Sequence, residues 1–253
     1  MEKISATIIT RNEQHNIERC LNSLIGIADE IIVVDSFSTD ATIDICRRYN
    51  CRITRREFTG YGTQRQYAAG LTNYSYILSI DADEVLSEEL RQAIMALKQS
   101  GFSHRMYSAD IINYICNTPV RRCGMAPVRQ VRLFDKRYAI WDLSDIEERL
   151  TYSSAIQPEP LPGCIHHYRC HSYEELRFKE LRNAEMRGRV LAARHNRIAA
   201  YTPLMRAAAE FLKCHLLQGA VLDGHTGHII ARERYRATLT AFSTARKIKK
   251  EQN

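Results

Sequence analysis

The chain has no stretch approaching the roughly 18 uncharged apolar residues that a membrane-spanning helix needs. Its most apolar late segment, 204–222, is interrupted by Arg206, Glu210 and Lys213. The opening MEKISATIIT lacks the long apolar run and small-residue cleavage site of a secretory signal. These absences predict a cytoplasmic protein. Gly-x-x-x-x-Gly-Lys-Ser/Thr and Gly-x-Gly-x-x-Gly are also missing, which removes the P-loop kinase and dinucleotide-dehydrogenase readings. No internal repeat and no low-complexity segment interrupts the chain.

Without a secretory signal, the eight cysteines read as buried or free thiols rather than a disulfide framework. One group, Cys164, His166, His167, Cys170 and His171, contains zinc-ligating residue types. Structural zinc sites present two separated Cys/His pairs, and no convincing second pair exists, since Cys116 and Cys123 are too far apart in sequence for a knuckle. Packing and acceptor contacts are the better reading of this group.

What is present is a basic excess placed at one end. Of the net charge of +7, residues 172–253 hold 16 Lys+Arg against 8 Asp+Glu, whereas the preceding 20 and 21 nearly cancel. Such asymmetry points to an anionic partner surface, acidic lipid headgroups or nucleic acid, or simply to a solvated helical face. The tail has few aromatics for base stacking and no nucleic-acid motif, which argues against nucleic acid.

The first hundred residues alternate strand and helix signals. Strands are expected at 4–10, 30–35, 51–55 and 76–81, with helices at 17–24, about 40–50, 63–69 and 87–101. Ile17, Cys20, Leu21 and Leu24 fall on one helical face. The continuous run EIIVVD suits a strand covered on both sides. Strands separated by helices pair in parallel through right-handed crossovers, and ligands of such sheets bind beyond the strands' carboxyl ends. Thr10, Asp35 and Asp81 end three of these runs, so the site is expected there. Short β-like runs follow at 108–114 and 131–134, and Pro158, Pro160 and Pro162 mark a loop. Helices are expected at 172–195, 203–222 and 226–247.

Asp81-Ala82-Asp83-Glu84 sits directly after an apolar strand. Three carboxylates in four residues repel one another, and a hard divalent ion, Mg²⁺ or Mn²⁺, relieves that repulsion while bridging phosphate oxygens. Asp-x-Asp also occurs in solvated loops, so its place at the mouth of a parallel sheet carries the weight. Asp35 can accept from a nucleobase N–H, and it is followed by Ser38-Thr39-Asp40, which also offer helix N-caps. Thr10, Asn12 and Glu13 line the same pocket, and Arg65 can pair with a diphosphate.

Thr10-Arg11-Asn12-Glu13, Val34-Asp35-Ser36, Ser38-Thr39-Asp40, Arg65 and Asp81-Ala82-Asp83, in this order and spacing, resemble family 2 glycosyltransferases. Arg132-Leu133-Phe134, Glu148-Arg149-Leu150, His166-His167-Tyr168 and 222–227 further resemble bacterial lipopolysaccharide-core β-1,4-glucosyltransferases, so that the resemblance covers nearly the whole chain. It implies an α/β fold of the GT-A type, Rossmann-like, with a mostly parallel sheet flanked by helices and a helical C-terminal extension. Residues 1–101 would bind the nucleotide-sugar, 102–171 would complete the same domain for acceptor and catalysis, and 172–253 would form the basic extension.

The resemblance implies inversion by a single displacement, with a hexose, glucose by analogy, moving from a UDP-sugar to a cell-envelope glycolipid. Asp83 would hold the metal, with Asp81 on the donor ribose or the metal's water shell. Glu148 aligns with the general base, while Glu147 stands where the relatives carry histidine. Arg132 and Glu147 are the remaining expected acceptor or phosphate contacts. The basic helices would meet an anionic membrane, placing the protein peripherally on the inner face of the plasma membrane, and self-association is left open. A nucleotide-sugar-binding protein without turnover is the alternative, against which the set Asp81, Asp83 and Glu148 argues.

Overall fold

The computed structural model describes residues 2–125, 128–143, 148–194 and 198–251. Residue contacts divide the chain into two compact units, 1–111 with 128–167, and 112–127 with 168–253. The segment 112–127 thus folds with the C-terminal helices.

The first unit opens as alternating strands and helices: β1 (Ile4–Thr10), α1 (Ile17–Leu24), β2 (Glu30–Asp35), α2 (Thr42–Arg48), β3 (Arg52–Arg55), α3 (Tyr61–Gly70) and β4 (Tyr76–Asp81). Next come β5 (Glu84–Leu86), α4 (Glu88–Ser100), β6 (Met106–Ile115), β7 (Thr118–Pro119), β8 (Val128–Asp135), β9 (Ala139–Trp141), β10 (Leu150–Tyr152) and β11 (Glu159–Cys170). The sheet runs β3-β2-β1-β4-β8-β6-β11-β5, with β7 on β6, and β9 and β10 form a separate pair. The first four strands are mutually parallel, and β8 joins β4 antiparallel. The parallel half follows from the sequence pattern. Its apolar runs are buried on both faces: Ile4, Ile8, Leu78 and Ile80 pack with Ile17, Leu21 and Leu24 of α1 in one core cluster.

α4 begins as predicted, with Ser87 Oγ accepting from the Leu90 N–H. The loop expected around Pro158–Pro162 is instead the start of β11. Proline removes a ladder donor, yet β5 pairs only with Ile165, His166 and His167, so the donors missing at Pro160 and Pro162 are not needed by that neighbour. Gly163 follows Pro162 at φ +82, where a Cβ would come 2.4 Å from the Leu90 nitrogen, so only glycine lets β11 pass the start of α4.

The second unit holds α5 (Tyr173–Arg194), α6 (Thr202–Leu212) and α7 (Gly224–Glu251). The continuous helix expected over 203–222 is broken. α6 stops at Leu212, a π-helical turn spans Lys213–Leu217, Gly219 adopts left-handed geometry at φ 69, and a 3₁₀ turn covers Ala220–Asp223. Ile115, Cys123, Cys214, Ile229 and Ile230 share the core of this unit. α5 and α7 pack through Ala184, Ala237 and Ala241. At Gly188 a Cβ would meet the Ala241 carbonyl oxygen at 2.8 Å, so this seam brings two backbones close together.

Among the described residues, no helix is long and apolar enough to cross a membrane.

Candidate active site

Strand register gathers the predicted acidic residues. Thr10 lies opposite Asp35 and Ile9 opposite Asp81, so the ends of β1, β2 and β4 share one sheet edge. Beyond that edge the loops after β1 and β2 are stitched together. The Asn12 N–H donates to Ser38 Oγ (2.9 Å), and Asn12 Oδ1 accepts from the Thr39 N–H (2.8 Å). The Glu13 N–H donates to Thr42 Oγ1 (2.8 Å) and the Gln14 N–H to Asp40 (3.1 Å). Asn12 sits at φ 56, a left-handed conformation that asparagine tolerates better than most residues. Glu13 also accepts from Asn16 Nδ2 at 2.6 Å, at the start of α1. Thr10 is buried, and its hydroxyl has no hydrogen-bond partner among the described residues.

Asp35 is fully buried, and its carboxylate accepts from the Ser38 N–H and hydroxyl, with Arg55 3.7 Å away. The residue therefore shapes the turn that follows β2. Asp40 behaves similarly just before α2. Burial works against its charge, but bonds from the Thr42 hydroxyl and N–H and from the Gln14 N–H hold its pKa below the ordinary carboxylate value.

The acidic run after β4 does not act as one cluster. Glu84 is buried, and it accepts from Arg132 Nη2 at 2.6 Å and from the Asp81 N–H at 2.9 Å. Burial pushes its pKa up in spite of Arg132. Arg132, expected at the acceptor or phosphate, is itself buried and committed to this pair. Asp81 belongs to a second pair: Arg65 Nη2 reaches both of its carboxylate oxygens, at 2.6 and 2.8 Å. Burial opposes the Asp81 charge, while Arg65 and then Arg132 outweigh it and lower the pKa.

Arg65 bridges further. Its Nε donates to Glu148 Oε1 at 3.0 Å, Nη1 to Ser79 Oγ at 3.3 Å, and its guanidinium carbon lies 5.1 Å from the centre of the Trp141 ring. Burial works against this charge as well, but Asp81, Glu148 and Glu84 together push its pKa upward. One guanidinium thus joins the end of β4 to the segment after β9. Glu147 and Asp145 lie outside the described residues.

Asp83 has a different neighbour. His167 Nε2 on β11 lies 3.3 Å from Asp83 Oδ2, and both side chains keep some exposure, 21% and 16%. From sequence alone His167 is expected among packing and acceptor residues. Its signal lies in strand register, because His167 pairs with Glu84 across β5 and β11 and is thereby carried to the acidic run. Alternation on a strand sends Cys164 and His166 to the opposite face, where their side chains meet at 3.8 Å. Among the described residues no group of three or more His, Cys, Asp or Glu gathers to hold an ion. An Mg²⁺ or Mn²⁺ site needs fewer, since these ions take one or two protein ligands and fill the rest with water and substrate phosphate. Asp83 supplies a carboxylate of the kind such an ion takes, and the His167 imidazole beside it is a nitrogen donor within reach of the same position.

The parallel strands β3-β2-β1-β4, continued by antiparallel strands and flanked by helices, form a GT-A-like fold. The chain belongs to glycosyl transferase family 2, whose domain matches residues 5–149. A lipopolysaccharide core biosynthesis glycosyltransferase, LpsC of Rhizobium meliloti, is 25% identical over 97% of this chain and 91% of its own. A glycosyltransferase of Rickettsia prowazekii is 30% identical over 85% of this chain and 76% of its own. One from Rickettsia felis is 40% identical over 55% of this chain, and the match spans 50% of that relative's length. A solved structure of glucosyl-3-phosphoglycerate synthase from Mycobacterium tuberculosis, in complex with Mn²⁺ and UDP, aligns with a TM-score of 0.35. It is 21% identical over 45% of this chain and 44% of that one.

Proposed function

We propose that this chain is an inverting glycosyltransferase that moves a hexose, glucose in our reading, from a UDP-sugar to a lipopolysaccharide-core or related cell-envelope glycolipid. The observation that carries the reading is the Asp81–Arg65–Glu148 bridge at the parallel-sheet edge, with Asp83 and His167 paired beside it. The likeness to LpsC over nearly the whole chain supports the envelope acceptor.

In this reading the stitched loops after β1 and β2 receive the nucleoside. Thr10, Asn12 and Glu13 line them, and Asp35 fixes their shape. Asp81, oriented by Arg65, faces the ribose. Asp83 and His167 would hold Mg²⁺ or Mn²⁺, and a bound ion of this kind neutralises charge on a departing diphosphate. Glu148 takes the proton of the acceptor hydroxyl as that oxygen attacks the anomeric carbon. The bond from that carbon to the diphosphate breaks, and its electron pair leaves on the phosphate oxygen. Glu84 and Arg132 hold the end of β4 in place. The protein works peripherally on the inner face of the plasma membrane.

Thermal shift with nucleoside diphosphates, with and without Mn²⁺, tests the donor site. UDP stabilises the wild type in a metal-dependent way, and Asp83→Ala abolishes the shift. Stabilisation that ignores the metal, or none with any nucleotide, overturns the assignment. Glu148→Gln keeps the UDP shift and loses transfer by about 10²- to 10⁴-fold, the usual cost of removing a general base. Full activity in that variant would transfer the role to Glu147 or Asp145.

A further inference from the structure

Surface helices of globular proteins bury their bulky apolar side chains and expose their polar ones. α6 does the reverse. Its buried positions are the small Pro203 and Ala207, continued by Cys214 in the π turn. Apart from Phe211, which packs against the core of this unit, the large apolar side chains here point outward. Leu204, Met205, Leu212, Leu216, Leu217 and Leu222 are all more than half exposed, from 54% at Leu212 to 85% at Leu217. Leu204, Met205, Ala208 and Leu212 fall at i, i+1, i+4 and i+8, one face of the helix. Leu216 and Leu217 in the π turn and Leu222 in the 3₁₀ turn are exposed as well. Single exposed leucines need no explanation, but a contiguous group of this kind within about twenty residues marks an interaction surface.

The surroundings say which surface. Arg206 and Lys213 are exposed and lie on one flank of the apolar face, one step round the helix from it. On another side the Arg122 side chain rests against Gly219, within 3.2 Å of where a Cβ would stand, and exposed Arg121 precedes it. Among the described residues two acidic groups border this rim, and both are engaged: Glu210 by Lys213 at 3.5 Å, and Asp223 by the Arg122 N–H at 2.9 Å, against four basic side chains. A second copy of the chain would bring the same positive rim against itself. An anionic bilayer complements both parts, with leucines seated at the headgroup–acyl boundary and arginines on the phosphates.

We propose that the outward apolar face of α6 and the two turns after it, rimmed by Arg121, Arg122, Arg206 and Lys213, is a docking surface for an anionic lipid interface. The contact is thus assigned to 201–222 with the 121–122 loop, and not to the basic end of α7 at Arg246–Lys250. It deepens the envelope-glycolipid reading, on whose membrane-bound acceptor it rests for its purpose.

Co-sedimentation of the full chain with vesicles tests it, comparing phosphatidylcholine alone with an equal mixture of phosphatidylcholine and phosphatidylglycerol. The wild type binds the mixed vesicles. Leu216→Ser combined with Leu217→Ser, both mostly exposed positions, lowers the partition by about tenfold or more, from the apolar area lost. Lys247→Gln with Lys249→Gln and Lys250→Gln lowers it by less than about threefold, since each distant charge contributes weakly in salt. An unchanged leucine variant, a larger loss in the lysine variant, or no wild-type binding overturns the proposal. So does a dimer, seen by sedimentation equilibrium, that the leucine substitutions dissolve while vesicle binding is absent. UDP thermal shift on the same samples separates the two readings. A metal-dependent shift without vesicle binding sinks only this inference, and vesicle binding without the shift sinks only the donor site.

Discussion

Arg65 Nη2 lies 2.6 and 2.8 Å from the two carboxylate oxygens of Asp81, so one nitrogen holds the first acid of the Asp-x-Asp motif. The same guanidinium reaches Glu148, 83 positions further along the chain. Arg65 is 6% exposed, which makes the pairing expensive to disrupt.

Arg65→Lys keeps a charge but loses the planar fork that serves both carboxylates at once. Transfer falls by at least about 10²-fold, comparable with loss of a positioned acid–base group. The midpoint of urea unfolding drops as well, because two carboxylates lose part of their compensation. An active, fully stable Arg65→Lys enzyme would show that the bridge has no part in orienting Glu148.

Glu84→Ala leaves Arg132 buried beside an apolar gap. Breaking a buried pair from one side costs about 3–5 kcal/mol, read by chemical denaturation. Arg132→Met with Glu84→Leu, which removes both charges, recovers much of that loss. A Glu84→Ala protein as stable as the wild type would mean that the pair contributes nothing.

His167→Ala weakens the apparent Mn²⁺ affinity, measured through the UDP thermal shift across a metal titration, by about tenfold or more, the low end of what loss of a ligand or its support costs. His166→Ala, on the other strand face, leaves the titration midpoint in place. Equal midpoints for His167→Ala and wild type would leave Asp83 as the sole protein ligand.

Asp40 makes stability pH-dependent in a direction that can be stated. Its folded pKa lies below the unfolded value of about 3.9 because bonds from Thr42 and Gln14 favour the charged form over the cost of burial. Its contribution is therefore complete above the ordinary carboxylate range and disappears as pH falls through the depressed value. Wild type is more stable than Asp40→Asn at pH 6, and the gap closes as the pH approaches 2. A constant gap across that range would assign the difference to packing.

The parallel half of the sheet was readable because its strands are continuous apolar runs separated by helices with clear caps, as at Ser87. Thr10, Asp35 and Asp81 could be placed on one edge from their positions at the ends of those runs. Pairings across long separations were not readable. That Glu84 serves Arg132, and that His167 reaches Asp83, depends on antiparallel registers between β5 and β11 and on the course of β8, which no local pattern encodes. The break after Leu212 was hidden for a related reason. The apolar spacing of 204–216 suits an uninterrupted helix, and only Gly219 at positive φ betrays the turn. The stripe itself was legible, but its direction was not, because spacing reports that a face exists and not whether it points inward.

The joined loops beyond β1 and β2 have a bearing on how a donor would be received. Asn12, Glu13 and Gln14 on one side and Ser38, Thr39, Asp40 and Thr42 on the other are fastened by short bonds in both directions. The two loops therefore behave as a single rigid collar, whose ordering is completed when the chain folds. If the donor binds there, as proposed, a nucleoside entering it would meet a shape already made, and little of its binding energy would be diverted to arranging protein. Discrimination between bases should accordingly appear mainly in how fast each one leaves.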